Sequence, residues 1–182
     1  MGETGSMLPT LRGESVLLRP VAEGDVAELV RILATPEVAE WWEGYDEDRV
    51  RDELVADGDG GSFAIVPLEA GEAGRPVGLI QYYEQDDPDY RHAGLDLFVD
   101  PTHHGRGLGR DAIVTLARHL VEAQGHHRIV IDPPVANDRA IRVYRSVGFR
   151  DVGVMRRYER RADGTWGDNL LLDLMADELP ER

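Results

Sequence analysis

The chain has 182 residues, 42% of them hydrophobic, with 35 acidic against 20 basic side chains and a formal net charge of -15. That length suits one α/β domain with a proper core; the charge disfavours nucleic acid as a partner and steers polycations toward the protein, although it also serves plain solubility. The absence of cysteine excludes disulfides and thiolate chemistry, and no apolar run is long enough for a membrane span or a secretory signal, so a cytoplasmic location is expected.

Residues 1–12 read as a disordered tail or expression remnant and 13–182 as one domain, with structure beginning near Ser15. Val16 to Pro20 is a first strand, and Glu23-Gly24-Asp25 leads into a helix with Val26, Leu29, Val30 and Leu33 on one face, closed by Pro36. Glu40-Trp41-Trp42-Glu43-Gly44-Tyr45 then sets three aromatics among acids. Such a mixture can wall a pocket for an amino sugar or another cation, or it can be a hydrophobic plug between helices. Asp46 to Asp57 carries Val50, Leu54 and Val55 as a second helix, with Asp57 to Gly61 as the turn after it. Phe63 to Leu68 and Val77 to Tyr83 form a hairpin. Glu84 to Tyr90 has four acids in seven residues, Asp86 and Asp87 among them, and no apolar pattern, so it is a loop.

The stretch from His92 to Val121 organises the rest. Gly94 to Val99 is a short apolar strand with one acid, Asp96, and Asp100-Pro101 ends it because proline cannot donate to a sheet ladder. Gly105, Gly107 and Gly109 follow at alternate positions, and Leu108, Ala112, Leu116 and Leu120 then recur at the spacing of one helix face. A glycine turn that opens a helix exposes unpaired N–H groups at the positive end of the macrodipole, a fit for phosphate, with Arg106 and Arg110 adding charge. An ordinary tight turn has the same spacing. His127 to Ile131 is the next strand, and Asn137 caps a helix with Ala140, Val143, Tyr144 and Val147 on its apolar face and Gly148 as its stop. Phe149 to Arg160 and Trp166 to Met175 flank an Asp163-Gly164 turn as a final hairpin. The histidines at 103, 104, 126 and 127 are adjacent pairs that complete no ligand set, so no metal is expected.

This order of elements, with His104-Gly105-Arg106-Gly107-Leu108-Gly109 and Asn137-x-x-Ala140-x-x-x-Tyr144-x-x-x-Gly148-Phe149, resembles the GNAT superfamily of acetyl-CoA-dependent N-acetyltransferases. His104 departs from the Gln or Arg of that family's coenzyme A loop. The resemblance implies a mixed, mostly antiparallel sheet of about seven strands flanked by about four helices. It implies acetyl-CoA as cosubstrate, its pyrophosphate on the backbone of Arg106 to Arg110 and its pantetheine beside Phe98 and Val99. His104 to Arg110, Asn137 and Arg142 are the further implied contacts, and Tyr144 is the implied acid for the departing thiolate.

Within the superfamily the chain resembles the aminoglycoside 6'-N-acetyltransferases, through Glu40-Trp41-Trp42-Glu43-Gly44, Gly94-Leu95-Asp96 and Asp132-Pro133 leading to Asn137. That likeness makes Asp96 the base or the ammonium anchor. It assigns Trp41, Trp42, Glu43, Tyr45, Asp132 and, by a loose correspondence of the final hairpin, Asp168 to a polycationic sugar; the acidic loop with Asp86 and Asp87 precedes the strand of Asp96, a position that brings it to the mouth of the same site. An aliphatic amine is mostly protonated at neutral pH, so the reaction needs a proton acceptor, and burial tunes a carboxylate for that task. Leu17-Leu18-Arg19-Pro20 and Thr35-Pro36-Glu37-Val38 also resemble protein N-terminal acetyltransferases of the ribosomal-protein type. A non-catalytic acyl-CoA sensor is a third class, against which Asp96 and Tyr144 argue. Monomer and homodimer are both compatible with the sequence.

Overall fold

A computed structural model describes residues 8–55 and 60–180. The expected turn at Asp57-Gly58-Asp59 and the first seven residues of the expected tail lie outside the described residues. In chain order the elements are β1 (Leu11–Arg12), β2 (Val16–Pro20), α1 (Val26–Leu33), α2 (Pro36–Ala39) and α3 (Glu47–Val50), then β3 (Gly60–Pro67), β4 (Gly78–Gln85) and β5 (His92–Val99). They continue with α4 (Leu108–Glu122), β6 (Arg128–Ile131), α5 (Asp138–Val147), β7 (Arg150–Arg160) and β8 (Trp166–Met175). Eight strands form one sheet in the order β1-β2-β3-β4-β5-β6-β8-β7, antiparallel at every junction except β5–β6.

Three details differ from the sequence expectation. Structure begins before Ser15, because β1 pairs with β2 and the intervening turn is fastened to Asp111 at the start of α4. That carboxylate accepts from Ser15 N (2.7 Å), Ser15 Oγ (2.9 Å) and Val16 N (3.0 Å). Pro36 opens α2 instead of closing α1; its missing N–H costs nothing at a helix start. The helix expected over Asp46 to Asp57 is a single α-turn with an Asp46 cap, continued by a wider π-type turn, Arg51–Val55.

Strand alternation divides the core. Ile80, Leu95, Ile129 and Leu172 pack under α4 and α5 on one face, whereas Leu79 and Phe98 pack with Leu29, Trp42 and Leu54 of the α1–α3 side on the other. Each such buried side chain contributes about 1.5–3 kcal/mol of transfer free energy. Asp96 shares the parity of Phe98, so the alternation aims it toward the tryptophan side of the sheet.

Candidate active site

The site begins where the sheet forks. β5 and β6 pair only at Ala93↔Ile129 and Gly94↔Val130 and then diverge, while β5 keeps its ladder to β4 as far as Val99. Asp96 stands two residues past the fork on β5, and Asp132 two residues past it on the β6 side. Beyond the fork the edge of β5 facing β6 carries main-chain groups without a strand partner.

A cavity of about 790 Å³ opens there. Its floor includes Gln81, Tyr83, Asp96 and Asp132, its roof Trp41, Trp42 and Tyr45, and Tyr144 reaches it from α5. Trp42 packs edge-on against Phe98 with ring centroids 5.0 Å apart and tilts against Tyr45 at 5.4 Å. The tryptophan segment is therefore both a plug in the core and a wall of the cavity. Tyr83 lies flat over Gly94, its cross-strand neighbour, so closely that a Cβ there would sit 2.0 Å from the ring Cζ. Glu43 Oε2 accepts from Ala162 N at 2.7 Å and ties the roof to the β7–β8 hairpin. The Tyr45 hydroxyl donates to Glu53 at 2.9 Å, so its ring, not its hydroxyl, serves the cavity.

Asp96 is open to the cavity while protein surrounds the cavity itself. Loss of bulk solvent and the charges of Asp132 and Glu159 push its carboxyl up to about 7, against the pull of the Leu97 N–H at 2.9 Å. Asp132 is also raised, chiefly by burial, with Asn169 opposing and Glu159 adding to the rise. Burial, then Asp96 and Asp132, raise Tyr144, which stays a phenol throughout the neutral range. Two acids, both raised, and a phenol thus share one space, a setting for acid–base chemistry.

A second cavity of about 720 Å³ adjoins the first, and Glu40, Trp41, Trp42, Leu97, Asn137 and Tyr144 line both. Phe98, Val99, His104, Gly105, Gly107, Leu108, Gly109, Arg110 and Arg142 are among the other residues of its wall. Gly105 and Gly107 have φ of 76° and 77°, a conformation glycine adopts without strain, and open space lies where their Cβ atoms would be. They present the N-terminus of the 15-residue α4 to this cavity. His104 Nε2 donates to the Val99 carbonyl at 2.8 Å and fastens the turn to the end of β5; burial lowers the affinity of its ring for a proton. Asn137 caps α5 through Ala140 N at 3.1 Å. The surface offers anion-binding amides at one end and an unpaired strand edge at the other, which fits a pyrophosphate joined to an amide-bearing arm.

Three expected contacts, and the side chain of a fourth residue, are not brought to these cavities. Asp86 and Asp87 lie in a loop that Arg91 ties to the carbonyls of Gln124 and Gly125 beyond α4, and Asp87 is used within the loop by Asp89 N at 3.0 Å. Asp168 lines neither; its carboxylate accepts from Arg157 N at 2.7 Å. The Arg106 side chain turns outward, 3.5 Å from Glu69. In their place stand Gln81, Tyr83, Tyr158, Glu159 and Asn169. The alternation of Tyr83 and Gln81 with the apolar face of β4 marks the first two as sharing a face, but nothing local marks Glu159.

The Acetyltransferase (GNAT) family model matches residues 26–149. Aminoglycoside N(6')-acetyltransferase type 1 of Klebsiella pneumoniae is 28% identical over 175 residues, covering 85% of this chain and 84% of that protein. The N-alpha-acetyltransferase RimI of Mycobacterium tuberculosis is 37% identical over 73 residues, 40% of this chain and 44% of that protein. Among solved structures, Mycobacterium smegmatis RimJ in complex with CoA-disulfide has a TM-score of 0.77 at 30% identity, covering 95% of this chain and 88% of that one. The chain belongs to the GNAT acetyltransferase family and is an acyltransferase that uses acetyl-CoA.

Proposed function

We propose that the protein transfers an acetyl group to the 6'-amine of an aminoglycoside, which would give resistance by drug modification. The observation that carries this reading is Asp96 at the sheet fork, poised near neutrality in a cavity lined by Glu40, Glu43, Asp132 and Glu159 under two tryptophans. The second cavity takes coenzyme A, with its pyrophosphate on the N–H groups of the Arg106 to Arg110 turn and its pantetheine along the open edge of β5. Acetyl-CoA supplies the acetyl thioester. Asp96 accepts the proton lost as the amine nitrogen bonds to the acetyl carbon, and the C–S bond breaks toward Tyr144. A buried phenol is a weaker acid than a free one, so Tyr144 acts chiefly by hydrogen-bonding the sulfur as charge gathers there. Holding amine and thioester together at the fork supplies much of the acceleration.

Thiol release with kanamycin, tobramycin and gentamicin tests the reading; if none is acetylated while a peptide amino terminus is, it fails. Acetylation of a protein amino terminus is the second reading, supported by the likeness to the N-alpha-acetyltransferase RimI over 40% of this chain. The stretches that suggested it perform structural work here. Arg19 grips Asp25 with both guanidinium nitrogens at 2.7 and 2.8 Å, and Thr35 Oγ1 donates to the Ile32 carbonyl at 2.6 Å. They report the fold and leave the acceptor to the carboxylates of the cavity.

A further inference from the structure

The turn that opens α4 begins with a histidine whose bonding fixes its tautomer. His104 Nε2 lies 2.8 Å from the Val99 carbonyl oxygen, and a carbonyl only accepts, so Nε2 carries a proton. In a neutral ring Nδ1 is then a bare lone pair. That atom has no hydrogen-bond partner among the described residues and is not enclosed by protein. The residue lines the second cavity one position before Gly105, where the N–H groups of the turn begin.

The surroundings favour the neutral ring. Burial lowers its affinity for a proton and Arg139 adds to the fall, while the Val99 carbonyl, Asp100 and Glu37 oppose it. Of the opposing acids, Asp100 is occupied by Arg31 and Thr102. Arg110 of α4 and Arg142 of α5 line the same cavity with Arg139, against Glu37, Glu40 and Asp138. His103, the neighbour in the chain, is engaged by Thr102 Oγ1 at 3.0 Å. A pyrophosphate on the turn reverses this balance, because it brings negative charge and oxygens that only accept. A bare Nδ1 beside such oxygens is repelled, whereas a protonated one donates a charge-assisted hydrogen bond.

We propose that His104 takes up a proton from solvent as coenzyme A binds, so that one imidazolium joins the Val99 carbonyl at the end of β5 to a pyrophosphate oxygen on the turn. Coenzyme A affinity is thereby linked to pH. A ring that holds its proton more tightly in the complex than in the free protein favours binding at low pH, and that gain is lost as pH rises through the range where the complex gives the proton up. Asp96 makes the opposite demand, since its carboxyl must be ionised to accept a proton. At limiting acetyl-CoA the rate should therefore fall on the alkaline side, where Asp96 alone would leave it level. The inference rests on the coenzyme A surface proposed above and is independent of the identity of the acceptor.

The test is calorimetric titration of the protein with coenzyme A from pH 6 to 8.5, beside two variants. His104→Gln keeps an N–H donor for the Val99 carbonyl and has no titratable nitrogen; His104→Arg keeps a cation at every pH. Across that range the affinity of the wild type should fall about tenfold more than that of either variant, the scale of one charge-assisted contact. Proton uptake, read from the dependence of the binding enthalpy on the buffer, should be larger in the wild type than in both. Nitrogen NMR of the wild-type histidine rings needs no variant: one ring should pass from neutral to imidazolium when coenzyme A is added at neutral pH. A pH dependence equal in wild type and variants belongs to the coenzyme's own phosphates and overturns the proposal, as does the absence of any ring that gains a proton. A wild type that does not bind coenzyme A sinks the coenzyme A surface as well, whereas binding without the linkage sinks this inference alone.

Discussion

Asp96→Asn isolates the proton acceptor with almost no change of shape. With the Asp96 carboxyl pushed up to about 7, kcat/KM should rise with pH along a limb centred near 7 before levelling. Removing a positioned base costs typically 10²–10⁴ in rate, about 3–5 kcal/mol of transition-state stabilisation, visible mainly in kcat. The assay is thiol release at saturating acetyl-CoA from pH 5.5 to 9. Near-normal turnover in the variant, or an acid limb unchanged by it, refutes the general-base role. Stability supplies a second readout whose sign is fixed. A carboxyl raised from 3.8 to about 7 binds its proton more tightly folded than unfolded, so the wild type loses stability as pH rises through that window. The asparagine variant lacks the loss and should melt higher at pH 8, with the gap closing toward pH 4. Water in the cavity screens the charge, which keeps the gap modest.

Tyr144→Phe should lower kcat less than Asp96→Asn, about tenfold, and leave the acid limb in place in a pH–rate titration. Gly107→Val forces a β-branched residue into a left-handed backbone at a cost of about 1–3 kcal/mol, and the melting shift given by coenzyme A should vanish; a shift that persists unchanged contradicts the proposed coenzyme A surface. Asp111→Ala strips the acceptor from the β1–β2 turn and should lower denaturant stability by roughly 2–3 kcal/mol without changing the coenzyme A affinity.

The parts of the fold written in local periodicity were legible: the helix after the glycine turn, the Asn137 cap, both hairpins and the strand bearing Asp96 are found where their patterns put them. Two-residue β1 carries too little pattern to be seen, and its anchor, Asp111, is nearly 100 residues away in the chain. Pro36 was ambiguous because proline both ends one helix and opens the next. Parity along β5 already set Asp96 on the face of Phe98. The partner of that acid across the fork, however, depends on a parallel pairing with β6 that no local spacing encodes. Glu159 was hidden more deeply, since the register shift between the Met155↔Asn169 and Glu159↔Gly167 pairs that carries it to the wall has no local signal, whereas Asp168, which accepts from Arg157 N, had the better motif-level claim to be the ligand.

That exchange of roles between Asp168 and Glu159 points to what separates structural from chemical acids in a chain so rich in both. A carboxylate whose oxygens meet backbone N–H groups has its charge committed to a turn. Asp46 caps α3, Asp111 holds the β1–β2 turn and Asp163 takes both donors of Thr165, while Asp100 meets Thr102 and the Arg31 guanidinium. Asp100 is the clearest case, for burial alone would raise it, yet Arg31 and Thr102 bring it down to about 2. The acids of the cavity are otherwise placed. Asp96 has one N–H, from Leu97, while Asp132 and Glu159 share the amide of one asparagine. Burial with so few donors raises Asp96 and Asp132, and the charge of Asp132 on Asp96 and of Glu159 on both adds to the rise. On the proposed reading, a polycationic acceptor would supply both the missing donors and the missing charge. Binding should then lower the Asp96 carboxyl from about 7 as the substrate's remaining ammonium groups enter the cavity, and the acid limb of kcat should lie below that of kcat/KM. Coincident limbs for kanamycin would mean that the substrate's remaining amines do not reach these carboxylates.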